Sequence, residues 1–123
     1  MSESLQSVGA ITLFVEDLQP TKSIYEDENS AVFKFENMIV NLLKVPAAYG
    51  LIDPGVVAAR EAGSRFQLSI WVEDADAVCA ELASRGVALL NGPMDRAWGM
   101  RTASFMDPAG HIWEVAQELA AAE

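Results

Sequence analysis

Apolar and polar residues alternate in several short runs of this chain, and such alternation is typical of β-strands whose two faces meet different surroundings. The pattern predicts a strand over residues 8–16 and another over residues 65–73. Two further strands are predicted over residues 30–38 and 39–45, with a tight turn near Glu36 between them. A short strand over residues 87–91, followed by a turn-rich loop over residues 92–99, is predicted before the last two strands. The chain is therefore expected to be rich in β-sheet.

The last two strands are predicted to form a β-hairpin over residues 101–117. Asp107 and Pro108, followed by Gly110, fit a type I turn, because proline presets φ and glycine tolerates the positive φ that closes the turn. Glu114 lies in the middle of the apolar second arm, where alternation places it on the same face as Ile112. A buried carboxylate is costly unless a cation, a hydrogen-bond donor or a metal satisfies it, so Glu114 marks a candidate site.

The expected register of this hairpin brings a cation to the carboxylate. We expect Met106 to face His111 across the turn, which places Ala103 opposite Glu114. Arg101 would then lie on the same sheet face as Glu114, diagonal to it and within reach of a long side chain. The two charged residues would be either polar anchors for a ligand or an ion pair that only satisfies a buried charge.

One segment has a clear helical period, over residues 74–85. Asp74 is a natural N-cap and Gly86 a natural stop for this helix. Cys79 falls on its apolar stripe and is expected to be a buried structural thiol rather than a reactive one. Residues 17–30 leave room for about two helical turns at most, so a helix there is weakly supported.

The two halves of the chain resemble each other. Each half has the sequence Val-Glu-Asp at the end of a predicted strand, and superposing the halves places Asn41 at the position of Glu114 and Ala10 at the position of Gln67. We therefore predict a duplicated β-α-β-β-β module. Residues 46–64 keep no period of 2 or 3.6 and are taken as the connector between the copies.

The composition of the chain limits its size class and excludes some classes of binding partner. The 123 residues are 51% hydrophobic, which is enough for one domain with a core. Lys and Arg total 8 against 18 Asp and Glu, and the net charge of −10 argues against nucleic acids and anionic membranes as partners. Neither a signal peptide nor a membrane span is predicted, so we expect a soluble, cytoplasmic protein.

Three stretches carry a resemblance to a known family. They are FVEDL near the N-terminus, FQLSIWVEDADAVCAELASRGV, and GMRTASFMDPAGHIWEVAQ near the C-terminus. Together they resemble the glyoxalase, bleomycin-resistance and extradiol-dioxygenase superfamily, also called vicinal oxygen chelate proteins. The D-P-x-G-x-x-x-E hairpin is the most specific part of the resemblance.

The resemblance implies an α+β fold in which paired βαβββ modules form a curved mixed sheet around a cleft. Residues 1–123 would be a single domain, with module 1 over about 8–45, a linker over 46–64 and module 2 over about 65–118. Members of the family are often homodimers, so a homodimer is expected.

Metal-dependent members hold one divalent ion through His and Glu side chains. The equivalent positions in this chain are Ala10, Asn41, Gln67 and Glu114, so Glu114 is the one retained ligand position. A carboxylate with two amides is a poor set for zinc or nickel. We therefore expect no metal cofactor, with a divalent ion as the alternative. No catalytic residue is assigned, and Glu114 would be the base or ligand if the protein were an enzyme.

The predicted ligand-binding residues combine aromatic surface with a few polar groups, as small-molecule sites do. They are Thr12, Phe14, Asn41, Gln67, Ser69, Trp71, Trp98, Arg101 and Glu114. Core filling explains Phe14 as well as ligand stacking does, and solvation or packing between subunits is the alternative for the polar residues of the strand at 65–73. His111, the single histidine, has the opposite parity to Glu114 and is not assigned a role.

The function expected from these residues is binding of a small, partly apolar organic molecule without a catalytic metal, as in the antibiotic-sequestering members of the resembled family. The alternative is a metal-assisted isomerase, lyase or dioxygenase that uses Glu114. A second alternative is a structural or regulatory dimer without a ligand.

Overall fold

A computed structural model describes residues 7–18 and 24–120. The chain divides into two units, Met1–Ala59 and Arg60–Glu123. Within the described part, no helix is both long and apolar enough to cross a membrane.

The first unit is a four-stranded mixed sheet. Its strands are β1 (Ala10–Val15), β2 (Tyr25–Glu26), β3 (Ser30–Lys34) and β4 (Ile39–Lys44). They are arranged in the order β1-β4-β3-β2, with β1 parallel to β4 and the other pairs antiparallel. The predicted tight turn near Glu36 joins β3 to β4, so this part of the sequence prediction is confirmed.

The alternation of apolar residues in β1 decides which face of the first sheet is buried. Leu13 and Val15 are buried, together with Val40 of β4 on the same side of the sheet. Thr12 and Asn41 lie side by side on the opposite face. The chain thus places its most apolar row against the interior of this unit and leaves a mixed row on the other face.

The predicted connector contains a helix, α1 (Val45–Ile52), that the sequence analysis missed. Pro46 lies in its first turn, where a proline has no hydrogen bond to lose. The helix predicted weakly for residues 17–30 is not present in its described part: residues 24–30 form β2 and a bend, and residues 19–23 lie outside the described residues.

The second unit repeats the topology of the first. Its strands are β5 (Gln67–Trp71), β6 (Leu89–Asp95), β7 (Met100–Met106) and β8 (Ile112–Glu118). Their order is β5-β8-β7-β6, with β5 parallel to β8 and the other pairs antiparallel. The two sheets match strand for strand, as the predicted duplication requires.

Helix α2 (Ala75–Ser84) covers one face of the second sheet. Asp74 caps it as predicted, because the Asp74 side chain accepts a hydrogen bond from the Ala77 amide at 3.0 Å. Cys79 is buried against Ala103 and Val115 of the sheet, as expected for a structural thiol, and this burial raises the pKa of the thiol. The core of this unit therefore lies between α2 and the sheet.

The turn between β7 and β8 is held by Asp107. Its carboxylate accepts hydrogen bonds from the amides of Ala109 at 3.0 Å and His111 at 2.9 Å, and from Trp113 Nε1 at 2.9 Å. Gly110 has a φ of 95°, as the predicted turn requires. The side chain that starts the turn thus also fixes the first residues of β8.

The predicted register of this hairpin is wrong by one residue. Met106 lies opposite Ile112 rather than His111, and Ser104 rather than Ala103 lies opposite Glu114. The cause is that the Asp107 amide donates a hydrogen bond to the His111 carbonyl at 2.8 Å. His111 therefore pairs with Asp107, and Met106 pairs with the next residue of β8. A shift of one residue moves every side chain of β7 to the other face.

Candidate functional site

On the face of the second sheet that points away from α2, a line of polar residues crosses all four strands. Ser69 of β5 lies beside Glu114 of β8, Ser104 of β7 lies on the other side of Glu114, and Asn91 of β6 lies beside Ser104. We call these four residues the polar row. Ser69 and Glu114 were predicted site residues, and the structure places them side by side.

Glu114 is half-buried, and its charge is partly satisfied within the row. Ser69 Oγ donates a hydrogen bond to Glu114 Oε1 at 2.8 Å. A hydroxyl donor of this kind offsets part of the cost of withdrawing a carboxylate from water. The donor that the sequence analysis required for Glu114 is therefore a neutral neighbour on the adjacent strand.

Apolar and aromatic residues flank the polar row on the same face. Trp71 and the polar residue Gln67 lie on either side of Ser69 along β5. Met94 of β6 and Met106 of β7 flank the row on the same face, on the strands away from β5. Trp71 is 75% exposed, although it is the largest apolar side chain of its strand. An exposed aromatic side chain beside fixed polar groups is typical of a surface that binds a ligand or partner.

Arg96, which the sequence analysis did not select, reaches this face from the turn between β6 and β7. Its Nε donates to Thr102 Oγ1 at 2.9 Å, and its Nη2 donates to Asn91 Oδ1 at 3.3 Å. Its guanidinium carbon lies 5.9 Å from the centre of the Trp98 ring. A cation and the predicted residue Trp98 thus stand together at the β6 end of the polar row.

The position of Asn91 depends on an irregularity in β6. Simple alternation would place Leu89 and Asn91 on the same face, yet Leu89 packs into the core under α2 while Asn91 lies beside Ser104. The register shifts between Leu89 and Asn91, and again before Met94, and these shifts rotate the strand. The Gly92-Pro93 pair was the sequence signal for this irregularity.

These shifts also make β6 longer than predicted. The sequence analysis expected a short strand followed by a loop at Gly92, whereas β6 continues to Asp95. Asn91 and Arg96 were missed because they were assigned to the end of a strand and to a loop, where no face could be specified.

Arg101 does not lie beside Glu114, contrary to the prediction. Because of the changed register, its side chain is on the α2 face, where Nε bonds to Asp95 at 2.6 Å and Nη1 to Asp76 at 3.0 Å. The hydrogen bond from Arg101 lowers the pKa of Asp95. Arg101 therefore ties α2 to the β6–β7 hairpin and is not part of the polar row.

The first unit has a neutral counterpart of the row. Thr12 lies beside Asn41, with Val32 and then Tyr25 on the following strands, and the predicted residue Phe14 shares the face of Thr12. Thr12 and Asn41 therefore match Ser69 and Glu114 in the second unit. Asn41 Oδ1 is buried and accepts no hydrogen bond from the described residues.

His111 is not in the polar row, in agreement with its parity. Its Nδ1 lies 3.3 Å from Asp107 Oδ2, and its ring centre lies 6.3 Å from that of Phe66. The His111 side chain therefore packs against the turn before β8 and against Phe66, and it does not reach the polar row.

The residues present do not fit the metal site of the resembled family. Over residues 7–18 and 24–120, no three His, Cys, Asp or Glu side chains are grouped so that they could hold an ion. Within the second unit, Glu114 is accompanied by a serine hydroxyl and by Gln67 on the neighbouring strand. One carboxylate with a hydroxyl and an amide does not match the imidazole, thiolate and carboxylate donors that zinc and nickel prefer.

The sequence matches the model of one protein family. The sequence model of the Glyoxalase/Bleomycin resistance protein/Dioxygenase superfamily matches residues 7–115. The uncharacterized protein YraH of Bacillus subtilis (strain 168) is 41% identical over 56 residues. That match covers 45% of this chain and 44% of YraH, so it spans less than half of the relative's length.

Solved structures share the fold. A glyoxalase/bleomycin resistance protein/dioxygenase from Nocardioides is 18% identical, with a TM-score of 0.82 over 99% of this chain and 89% of its own. A glyoxalase-related enzyme from Fulvimarina pelagi is 21% identical, with a TM-score of 0.78 over 93% and 89%. These similarities confirm the predicted α+β fold built from βαβββ modules.

Proposed function

Because the chain belongs to the Glyoxalase/Bleomycin resistance protein/Dioxygenase superfamily, we propose that it binds a small, partly apolar organic molecule on the face that carries the polar row. We further propose that binding needs no catalytic metal, so that the protein captures its ligand rather than transforming it. The observation that carries this proposal is the polar row itself, which lies beside the exposed Trp71.

The chemistry of the face supports binding. Trp71 offers a large rigid ring that loses little conformational freedom on binding, and Trp98, which is 70% exposed, offers a second. Next to Trp71 on the same face, Ser69 and Glu114 are already joined by a hydrogen bond. Polar groups held in place before the ligand arrives reduce the entropy that binding must overcome.

The donor set supports metal-independent binding. Glu114 is the one carboxylate of the polar row, and a Ser69 hydroxyl already bonds to one of its oxygens. A ligand with a hydrogen-bond donor would satisfy the remaining carboxylate oxygen with a charge-assisted bond, without an ion.

The test is a thermal-shift screen of the purified protein against planar aromatic and glycopeptide ligands, followed by titration of each stabilising compound. Trp71→Ala is expected to weaken binding about tenfold. Leu51→Ala, which truncates a side chain of similar exposure on α1, is the matched control and is expected to leave binding unchanged. Equal effects of the two variants, or no shift with any ligand, would contradict the proposal.

Metal analysis separates this function from the enzymatic alternative. Protein purified without chelators is expected to contain no stoichiometric divalent ion, and Glu114→Gln is expected to change ligand affinity only. Glu73→Gln removes an exposed carboxylate just after β5 and controls for the change in net charge. A stoichiometric ion that is lost in Glu114→Gln would instead support a metal-dependent lyase, isomerase or dioxygenase.

A further inference from the structure

We infer that Arg96 is an anion-binding residue, and that the molecule bound along the polar row is a singly charged aromatic anion with a hydrogen-bond donor at its other end. This inference rests on the proposed function, because it names the class of ligand for the same face. It adds a specificity-determining residue that the resemblance to the family does not supply.

The first step is that hydrogen bonds orient the Arg96 guanidinium, while no carboxylate among the described residues pairs with its charge. Its two hydrogen bonds go to Thr102 Oγ1 and Asn91 Oδ1, which are both neutral acceptors. No ion pair of Arg96 is formed with any residue of the described segments. Arg101, in the next strand, has two carboxylate partners by contrast.

The second step concerns the composition of the chain. Acidic residues outnumber basic ones by 18 to 8, so carboxylates are the commonest charged groups available to pair with an arginine. Asp95, the residue before Arg96, instead pairs with Arg101 on the opposite face of the sheet. The hairpin therefore directs the carboxylate that is adjacent in sequence away from Arg96. N–H groups of the guanidinium are left for an external acceptor.

The third step is that the anchor is held in place. Thr102 is 1% exposed, so the oxygen that accepts from Arg96 Nε belongs to a buried side chain of β7. A planar guanidinium that is fixed in this way loses little freedom when it binds a carboxylate. The centre of the Trp98 ring lies 5.9 Å from the guanidinium carbon of Arg96, and most of the Trp98 side chain is exposed. An aromatic anion could therefore stack on Trp98 while its charge meets Arg96.

The fourth step fixes the length and polarity of the ligand. Asn91, Ser104 and Glu114 lie side by side on three adjacent strands, so the row from Asn91 to Glu114 spans about 10 Å, or two strand spacings. The carboxylate at the far end repels a second anion and accepts a hydrogen bond from a hydroxyl or amino group. A hydroxylated or aminated aromatic acid of two fused rings matches both ends.

The alternative is that Arg96 only braces its hairpin. Its bonds to Asn91 and Thr102 would then stabilise the fold, and replacement of Arg96 would change stability without any preference for charged ligands. Binding measurements with an acid and its neutral amide separate the two roles, because a bracing residue does not distinguish them.

The experiment titrates 6-hydroxy-2-naphthoate and 6-hydroxy-2-naphthamide into the full chain by calorimetry. The wild type is expected to bind the acid about 10 to 100 times more tightly than the amide, as charge-assisted hydrogen bonds imply. Arg96→Gln is expected to bind the two compounds equally. Arg65→Gln, which removes an exposed charge before β5, is expected to keep the preference.

A measurement on the wild type alone guards against a variant that fails to fold. On addition of the acid, the side-chain Nε resonance of Arg96 is expected to shift while that of Arg101 stays in place. Equal binding of acid and amide by the wild type would overturn the inference and leave the proposed function standing. Binding of neither compound, or equal loss of preference in both arginine variants, would overturn the inference, and the ligand screen would then decide the proposed function by itself.

Discussion

Replacement of Gly92 by alanine tests how β6 brings Asn91 and Arg96 to the polar row. Gly92 has a φ of 84°, in the region that L side chains rarely adopt. A Cβ atom at this position would overlap the Thr102 carbonyl oxygen and would lie 2.8 Å from Ala103 Cα. Both of these atoms belong to the backbone of β7, so a change of side-chain rotamer cannot relieve the overlap.

Two terms set the expected loss of stability. Positive φ costs an alanine about 1 to 2 kcal/mol, and overpacking against a fixed backbone typically costs about 1 to 3 kcal/mol. Their sum is about 3 kcal/mol in the free energy of unfolding. For a chain of 123 residues this lowers the melting temperature by about 10 °C.

Gly99 is the matched control because its φ is 85° and it has nothing within 4 Å of an added Cβ atom. Gly99→Ala is expected to lose only the conformational term, about 1 to 2 kcal/mol. Urea unfolding followed by circular dichroism measures both variants against the wild type. If Gly92→Ala lost no more stability than Gly99→Ala, the close approach of β6 to β7 would not exist as described.

Two further predictions concern the same unit. Asp107→Ala removes the acceptor of three hydrogen bonds and is expected to lower the free energy of unfolding by about 3 kcal/mol. Asp107→Asn keeps an acceptor oxygen and is expected to lose less stability. Urea unfolding measures both variants, and equal losses would refute the role of the carboxylate. The hydrogen bond from Arg101 lowers the pKa of Asp95 in the folded state. The Arg101–Asp95 pair therefore stabilises the fold above the pKa that Asp95 has in the unfolded chain, near 4, and this stabilisation is lost as the pH falls through the lower folded pKa. Below about pH 4 the stability of Arg101→Gln is therefore expected to fall less steeply than that of the wild type, and parallel acid-unfolding curves would contradict this.

The strands and the helix α2 were predictable because apolar alternation and helix capping depend only on residues that are close in sequence. Alternation placed Glu114 and Ile112 on one face, and the cap at Asp74 began α2 where it was expected. The duplication was visible because each copy of the module needs the same apolar row against its own interior. The pairing of Thr12 with Asn41 in one sheet and of Ser69 with Glu114 in the other confirms it.

The candidate site was only partly predictable because it depends on register, which the sequence specifies indirectly. Closing the last hairpin one residue later on β8 moved Arg101 to the α2 face and brought Ser104 to Glu114. The shifts in β6 brought Asn91 to the row and allowed Arg96 to reach it. Each of these outcomes depends on a backbone bond or an extra residue between two strands, and apolar periodicity carries no information about either.

The neutral pair in the first sheet and the charged pair in the second have a consequence for how such proteins diverge. Thr12 with Asn41 and Ser69 with Glu114 occupy equivalent positions in strands of the same order and direction. One backbone frame therefore tolerates an amide or a carboxylate at the same place without a change in pairing. Recognition can thus be altered by exchanging single side chains in the row, while the strands that carry them are inherited unchanged.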